Sequence, residues 1–445
     1  MNPEIYEVRC PRQADPLRVR KVTVPGSKSI TNRALLLAAM AEGTSTLRGC
    51  LTSDDARVFV ECLKTLGFPV EETPDGALGS NVTITGFGGG IPVKNAEIYV
   101  GSAGTAARFL VAMLAFSGGE YRVDSSAQMK SRPMQPLIDA LRDAGARVEC
   151  PEEEGHFPLR VAGIRNPEEI PDRFSVRIDQ SSQFLSALMI AAGTLKKKAV
   201  IEAVGSHGLG YVNLTAEMLR SFGVTVRKET ADGRTLYRFS GEDRILPRTY
   251  EIEPDMSAAA YFYALAAVLG IRVAVRGVSR DMLQGDTRFL DVLEKMGCVT
   301  EQPDGADGLL LTGPAEGKLR GGFTVDMSAF SDQALTLAAI APYADAPVTL
   351  TGIGHIRVQE CDRIHAITHN LRSLGIRAEE GEDWVKVWPG QPKGGDVETY
   401  GDHRVAMAFA LTGLRAEGVR ILNPSCCRKT FAEYFDVLDS VLGKK

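Results

Sequence analysis

No two of the chain's cysteines form a CxxC pair, and none is grouped with histidine at zinc-site spacing. The eight thiols, at positions 10, 50, 62, 150, 298, 361, 426 and 427, therefore read as reduced and mostly buried. Long apolar runs are missing as well. The longest, Ala258 to Gly270, falls short of the roughly 20 residues that a bilayer span needs. The opening MNPEIYEVRC lacks the apolar core of a secretory signal. Positive charge is not in excess: 51 Lys and Arg against 56 Asp and Glu leave a net charge of -5. That balance argues against nucleic acid, because phosphate-backbone binding wants a basic surface. The expectation is a cytoplasmic, soluble protein with neither membrane nor nucleic-acid partner. What is present, 44% hydrophobic and 24% charged residues in a chain of 445, suits a sizeable core spread over two or three domains.

Nucleotide-binding loops are also absent. GSKS at Gly26 places Ser before Lys and has no preceding glycine at P-loop spacing. GFGGGI at Gly86 misses the third glycine of a dinucleotide fingerprint. No cofactor is indicated.

Internal repetition dominates the chain. Six segments open with small polar residues and run on into an Ala/Leu-rich stretch: SKSITNRALLLAAMAEG from Ser27, SAGTAARFLVAMLAFSG from Ser102, DQSSQFLSALMIAAG from Asp179, DMSAAAYFYALAAVLG from Asp255, DMSAFSDQALTLAAIAPYA from Asp326 and DHRVAMAFALTGLRAEG from Asp402. Their starts lie 75, 77, 76, 71 and 76 residues apart. Being apolar nearly all round, these helices should be buried. A second, amphipathic helix follows each and stops on a glycine, at 67, 145, 223, 297, 375 and 443, which suits a left-handed C′ position. Short strands such as YRVDSS and AVIEAVG lie between the two helices, and hairpin patterns follow the second, as in VTVRKETADGRTLYRFSG with its Asp-Gly turn.

The unit is therefore strand, helix, strand, helix, strand, strand. The sixth copy lacks the closing hairpin, which the two strand-like runs of IYEVRCPRQADPLRVRKVTV could supply. The expected fold is α/β, a two-lobed inside-out α/β barrel with three βαβαββ units around buried helices in each lobe. Residues 22–246 would form the first lobe; 1–21 with 247–445 would form the second.

A helix start exposes unpaired N–H groups and partial positive charge, and so attracts anions. Small polar residues there are usually plain caps, and that is the expectation for Ser27, Ser102, Asp255 or Asp402 taken alone. Cations in a first turn oppose the helix dipole and are less easily structural. Arg132, Arg363, Arg404 and Lys429, at four different helix starts, point to an anion site. His365 and His369 are spaced i, i+4, but no Glu completes HExxH, so they read as surface histidines. Asp255 has no cationic neighbour and reads as a cap only.

The segments PGSKSITNRALLLAA, AGTAARFL, RPM, SSQFLSAL, the Asp332 helix, QECDRI, YGDHRVAM and RKTFAEYF, in this order and over nearly the whole chain, closely resemble the enolpyruvyl transferase family, in its branch acting on shikimate 3-phosphate. The resemblance implies two lobes of six βαβαββ units closing over small-molecule substrates, a monomer, and no metal. It implies transfer of the enolpyruvyl group of phosphoenolpyruvate to the 5-hydroxyl of shikimate 3-phosphate, releasing phosphate, in aromatic amino-acid biosynthesis.

By the same resemblance Lys28, Gly104, Arg132, Gln183, Arg363, Arg404 and Lys429 hold phosphoenolpyruvate. Arg suits this because its planar fork meets carboxylate and phosphate bidentately. Lys28, Ser29, Arg33, Ser181, Ser182, Gln183, Ser206, Tyr211, Asp332 and Gln359 hold shikimate 3-phosphate. Asp332 and Glu360 are the carboxylates of an addition–elimination, with Lys28 as their cationic partner. Gly104 and Thr105 imply glyphosate sensitivity.

The chain departs from the family pattern at Ser102 and His355, where Asn is usual, at Gln359, where Lys often precedes the catalytic Glu, and at Phe109. The sister branch acting on UDP-N-acetylglucosamine usually carries a reactive Cys in a first-lobe loop; the corresponding SGGEYRVDSSAQMKSRPM has none.

Overall fold

The computed structural model describes residues 4–11, 15–205, 208–231, 234–302 and 307–443. The chain forms two compact units, one of Gly26–Ile252 and one of Met1–Pro25 with Glu253–Lys445.

In the 26–252 unit the three Ala/Leu-rich segments are the helices Lys28–Met40, Gly104–Phe116 and Gln183–Ala192, hereafter the Lys28, Gly104 and Gln183 helices. They are buried on nearly every side because none has a polar face to offer water. The Gly104 helix packs against both of the others. Three four-stranded sheets belong to this unit. In two of them the first strand pairs parallel with the second, as a helical crossover requires, and a hairpin adds the fourth and third strands antiparallel; the remaining sheet has the same layout, but its outer parallel strand comes last in the unit. The middle copy shows the pattern: Asn95–Tyr99 lies parallel to Gly119–Asp124, with Asn95 opposite Glu120, and Leu159–Gly163 and Arg147–Glu149 follow antiparallel.

The second unit repeats this plan with the helices Met256–Leu269, Ala334–Ile340 and His403–Thr412, hereafter the Met256, Ala334 and His403 helices. It has two four-stranded sheets and one three-stranded sheet. Among the described residues no strand pairing joins one of the six sheets to another. The barrel of the sequence reading is thus a set of separate sheets, not a closed hydrogen-bonded ring. No helix among the described residues is long and apolar enough to cross a membrane.

All six closing glycines have positive φ, from 79° at Gly375 to 104° at Gly297. The motif is the same wherever it is described. Gly67, Gly145, Gly223, Gly297 and Gly375 donate to the carbonyl three residues back, and the next residue donates to a buried leucine carbonyl: Leu63, Leu141, Leu219, Leu293 or Leu371. This is the Schellman arrangement. The Asp232–Gly233 turn lies outside the described residues; its flanking strands Val226–Ala231 and Arg234–Phe239 pair antiparallel.

Three expectations need correction. The N-terminal stretch does not supply a hairpin to the sixth copy. Only Ile5–Glu7 joins that sheet, antiparallel to Val419–Leu422, while Val19–Val22 pairs parallel with Arg272–Arg276 of the fourth copy. In exchange Thr249–Glu251, which leads into the Met256 helix, pairs parallel with Glu42–Leu51 of the first copy. The compact units divide after Pro25 and Ile252, a few residues beyond the expected divisions after 21 and 246.

The segment from Asp326 does not begin as a helix. Phe323–Asp326 is a strand, a 3-10 turn covers Ser331–Gln333, and the α-helix starts at Ala334. Of the four expected caps, Asp255 accepts from the Ala258 N–H and Asp402 from the Arg404 N–H. Ser27 makes no side-chain cap bond, and the Ser102 hydroxyl pairs with that of Ser126 at 2.7 Å.

Candidate active site

In the 26–252 unit, Arg33 shows that the three buried helices start at the same end. It lies five residues into the Lys28 helix, its guanidinium is 5.3 Å from the ring centre of Phe109, five residues into the Gly104 helix, and Nη2 donates to Ser186, three residues into the Gln183 helix. Nε also donates to Thr215 at 2.8 Å, Nη2 to the Tyr211 carbonyl and Nη1 to the Ser29 carbonyl. Arg33 is 2% exposed, and all these acceptors are neutral. Burial lowers its pKa to about 10, because the cation is poorly solvated there and no carboxylate among the described residues pairs with it.

Around this centre stand the other expected groups. Lys28 Nζ lies 3.8 Å from Asp55 Oδ2. Arg108, buried and stacked 4.9 Å from the Phe184 ring centre, donates to Gln183 Oε1 at 2.8 Å, to Ser181 Oγ at 3.3 Å and to the Pro133 carbonyl. It ties the start of the Gln183 helix to the loop that carries Arg132. Ser182 Oγ lies close to Gly208, which adopts positive φ where a side chain would collide with that hydroxyl. Gly104 and Arg132 are in direct contact, and a side chain at 104 would occupy the space of the guanidinium. Ser206 lies outside the described residues.

In the other unit, one buried arginine gathers most of the expected groups. Arg363, 1% exposed, donates from Nε to Asp402 at 2.8 Å, from Nη2 to Glu360 at 2.9 Å and to Asp402 at 3.4 Å, and from Nη1 to Asp332 at 3.1 Å and to Gln359. Burial opposes its charge, but Asp402, Glu360 and Asp332 outweigh that and hold its pKa above the ordinary value. Arg404 reaches Asp332 Oδ2 at 2.8 Å, and Lys429 Nζ lies 3.5 Å from Glu360 Oε1. Lys429 Nζ is buried and makes no hydrogen bond among the described residues. Three cations thus face three carboxylates. Each of Asp332 and Glu360 is shared between Arg363 and a second cation.

Sequence reasoning missed Asp286. It is fully buried on the Gly285–Arg288 turn, accepts from Ser257 Oγ at 3.1 Å and from Gln333 Nε2 at 3.3 Å, and so links the start of the Met256 helix to the Asp332 turn. Burial first, and the charge of Asp332 next, push its pKa up to about 7, with Arg404 pulling the other way. Its signal in the sequence is slight: a QGD triplet before a second-class helix. Arg108 stands in the AGTAARFL segment, but nothing in the sequence shows its role in holding Ser181 and Gln183. His365 and His369 are exposed, with ring centres 5.6 Å apart.

The profile of a known family, EPSP synthase (3-phosphoshikimate 1-carboxyvinyltransferase), matches residues 14–438. The chain belongs to the EPSP synthase family. The 3-phosphoshikimate 1-carboxyvinyltransferase of Trichormus variabilis is 41% identical over 424 residues, covering 95% of this chain and 96% of that one. The enzyme of the same name from Bordetella pertussis is 40% identical over 436 residues, 96% of each chain. Among solved structures, an EPSP synthase from Acinetobacter baumannii superposes with a TM-score of 0.77 at 24% identity over 98% of both chains. The enolpyruvyl transferase NikO from Streptomyces tendae superposes with a TM-score of 0.72 at 16% identity over 99% of this chain and 97% of that one. These two likenesses concern the fold. With family members of 40% identity or more, the Asp332 and Arg363 cluster stands in an EPSP synthase chain.

Proposed function

We propose that this chain transfers the enolpyruvyl group of phosphoenolpyruvate to the 5-hydroxyl of shikimate 3-phosphate, using Asp332 and Glu360 as its acid and base. The observation that carries this is the pair of carboxylates on one buried guanidinium, each backed by its own second cation, Arg404 or Lys429. Addition needs the 5-hydroxyl proton removed while the methylene carbon of phosphoenolpyruvate is protonated; elimination then takes a proton from the new methyl group as phosphate leaves. Two carboxylates whose charge is already balanced by cations can exchange one proton between roles without stranding a charge.

In the 26–252 unit, Ser29, Arg33, Ser181, Ser182, Gln183 and Tyr211 are the groups for shikimate 3-phosphate, and Ser206 joins them by resemblance. Arg33 supports this, since a buried cation with neutral partners favours a phosphate nearby. Lys28, Gly104, Arg132 and Gln183 there, and Arg363, Arg404 and Lys429 in the other unit, are the groups for phosphoenolpyruvate. Lys28 also serves as cationic partner to the chemistry. The enzyme is proposed to work in the cytoplasm as a monomer.

The test is phosphate release from phosphoenolpyruvate with either shikimate 3-phosphate or UDP-N-acetylglucosamine as acceptor. Release with the first alone is expected; release only with the second, or with neither, overturns the proposal.

A further inference from the structure

Gln359 was expected among the groups for shikimate 3-phosphate, yet its side-chain oxygen accepts from Nη1 of Arg363. An arginine has five N–H donors, and Arg363 makes five hydrogen bonds: two to Asp402 and one each to Glu360, Asp332 and Gln359. A guanidinium in this state has no donor left for an incoming anion. To bind one it must give up a partner.

The five bonds are not equal. Those to Asp402, Glu360 and Asp332 end on carboxylates, where opposite charges attract across a largely buried contact, whereas the Gln359 amide offers the guanidinium only a dipole. Asp402 is the least able to leave: it is 0% exposed, takes two of the five bonds and caps the His403 helix. Glu360 is held from its other side by Lys429, and Asp332 by Arg404. Gln359 is neutral and, like Asp332 and Glu360, partly exposed beside the buried Arg363. Being uncharged, it is the partner most easily given up.

We propose that Gln359 is a positioning residue that occupies the phosphoenolpyruvate donor of Arg363 in the empty enzyme and is displaced when phosphoenolpyruvate binds, so that it sets affinity for phosphoenolpyruvate and not for shikimate 3-phosphate. This rests on the reading of Arg363 as a phosphoenolpyruvate group. The amide keeps a buried N–H satisfied until substrate arrives, and exchanging it for a substrate oxygen replaces a neutral acceptor by a charged one.

The test uses two replacements of similar length with opposite expected effects, read as Michaelis constants for each substrate with the other saturating. Gln359→Met removes the acceptor and leaves a donor of Arg363 unmet in the empty enzyme, so KM for phosphoenolpyruvate should fall roughly three- to tenfold. Gln359→Glu supplies a charged acceptor that is harder to displace, so that KM should rise roughly tenfold or more. Changes confined to KM for shikimate 3-phosphate, or the same direction in both variants, overturn the proposal. Arg363→Lys tests the underlying reading separately. An unchanged KM for phosphoenolpyruvate in that variant would remove Arg363 from substrate binding and the proposal with it; a raised KM there beside a null result at Gln359 would overturn the proposal alone.

Discussion

The guanidinium of Arg132 rests against the α-carbon of Gly104: a methyl carbon built on Gly104 would meet Arg132 Nη1 at 2.3 Å and Cζ at 2.8 Å. Gly104→Ala must therefore move the tip of Arg132, while the Gly104 helix, gaining a better helix former, keeps its shape. The expected outcome is a KM for phosphoenolpyruvate raised roughly tenfold or more, since small misplacements of a binding group are costly. The melting temperature should stay within a few degrees. A loss of stability with an unchanged KM would show that the contact matters to packing alone.

Glyphosate should inhibit this enzyme in competition with phosphoenolpyruvate, through the surface at Gly104 and Thr105. Initial rates at several phosphoenolpyruvate concentrations decide it. Full activity at high inhibitor would end the idea.

Asp332→Asn should still bind both substrates but turn over about a hundredfold or more slowly, the usual size of an acid–base contribution. Asp332 also holds Arg363 and Arg404, so a modest rise in KM for phosphoenolpyruvate should accompany the fall in kcat. Near-normal kcat would take Asp332 out of the chemistry.

Asp286→Asn should change how stability depends on pH. The folded carboxyl titrates at about 7, above the ordinary carboxylate range of about 4 that it has in the unfolded chain. The folded protein thus holds a proton that the unfolded chain gives up. The stability linked to Asp286 is present below about pH 4 and is lost as pH rises towards about 7. Asparagine does not titrate, yet it can still accept from Gln333 and donate to Ser257. The melting temperature of the variant minus that of the wild type should therefore rise between pH 5 and pH 7 and level off above. A flat difference would remove this account of Asp286.

Much of this molecule is legible in its sequence because it depends on local pattern. Six apolar stretches announce six buried helices, and six glycines announce left-handed helix ends, since both follow from a few consecutive residues. Arg363 and Arg404 also stand out, because a cation in a first helical turn opposes the dipole. Arg132 and Lys429 do not fit that expectation, since Arg132 lies in the loop before Gln135 and Lys429 closes the 3-10 turn Pro424–Lys429.

What escapes the sequence depends on distant partners. Ser102 looks like a cap, but its hydroxyl finds Ser126 instead. Asp286 carries no local sign that Ser257 and Gln333 will bury it between them. Gln359 shows the loss of a cation in the sequence, but not which neighbour its amide will serve. Nor does a strand pattern say which sheet the strand will join, so the exchange of Val19–Val22 and Thr249–Glu251 is invisible until pairing is seen.

That exchange governs the order in which the chain can settle as a ribosome makes it. All strands of the 26–252 unit lie within one continuous stretch, so that unit can complete its sheets as soon as Glu251 has emerged. The strands before residue 26 wait longest for their partners. Val19–Val22 has no partner until Arg276 appears, and Ile5–Glu7 none until Leu422. At roughly 5–20 residues per second, the amino-terminal strand spends on the order of 20–80 s with its backbone unpaired. Its short length is a protection during that time, because three residues offer little edge to a neighbouring nascent chain.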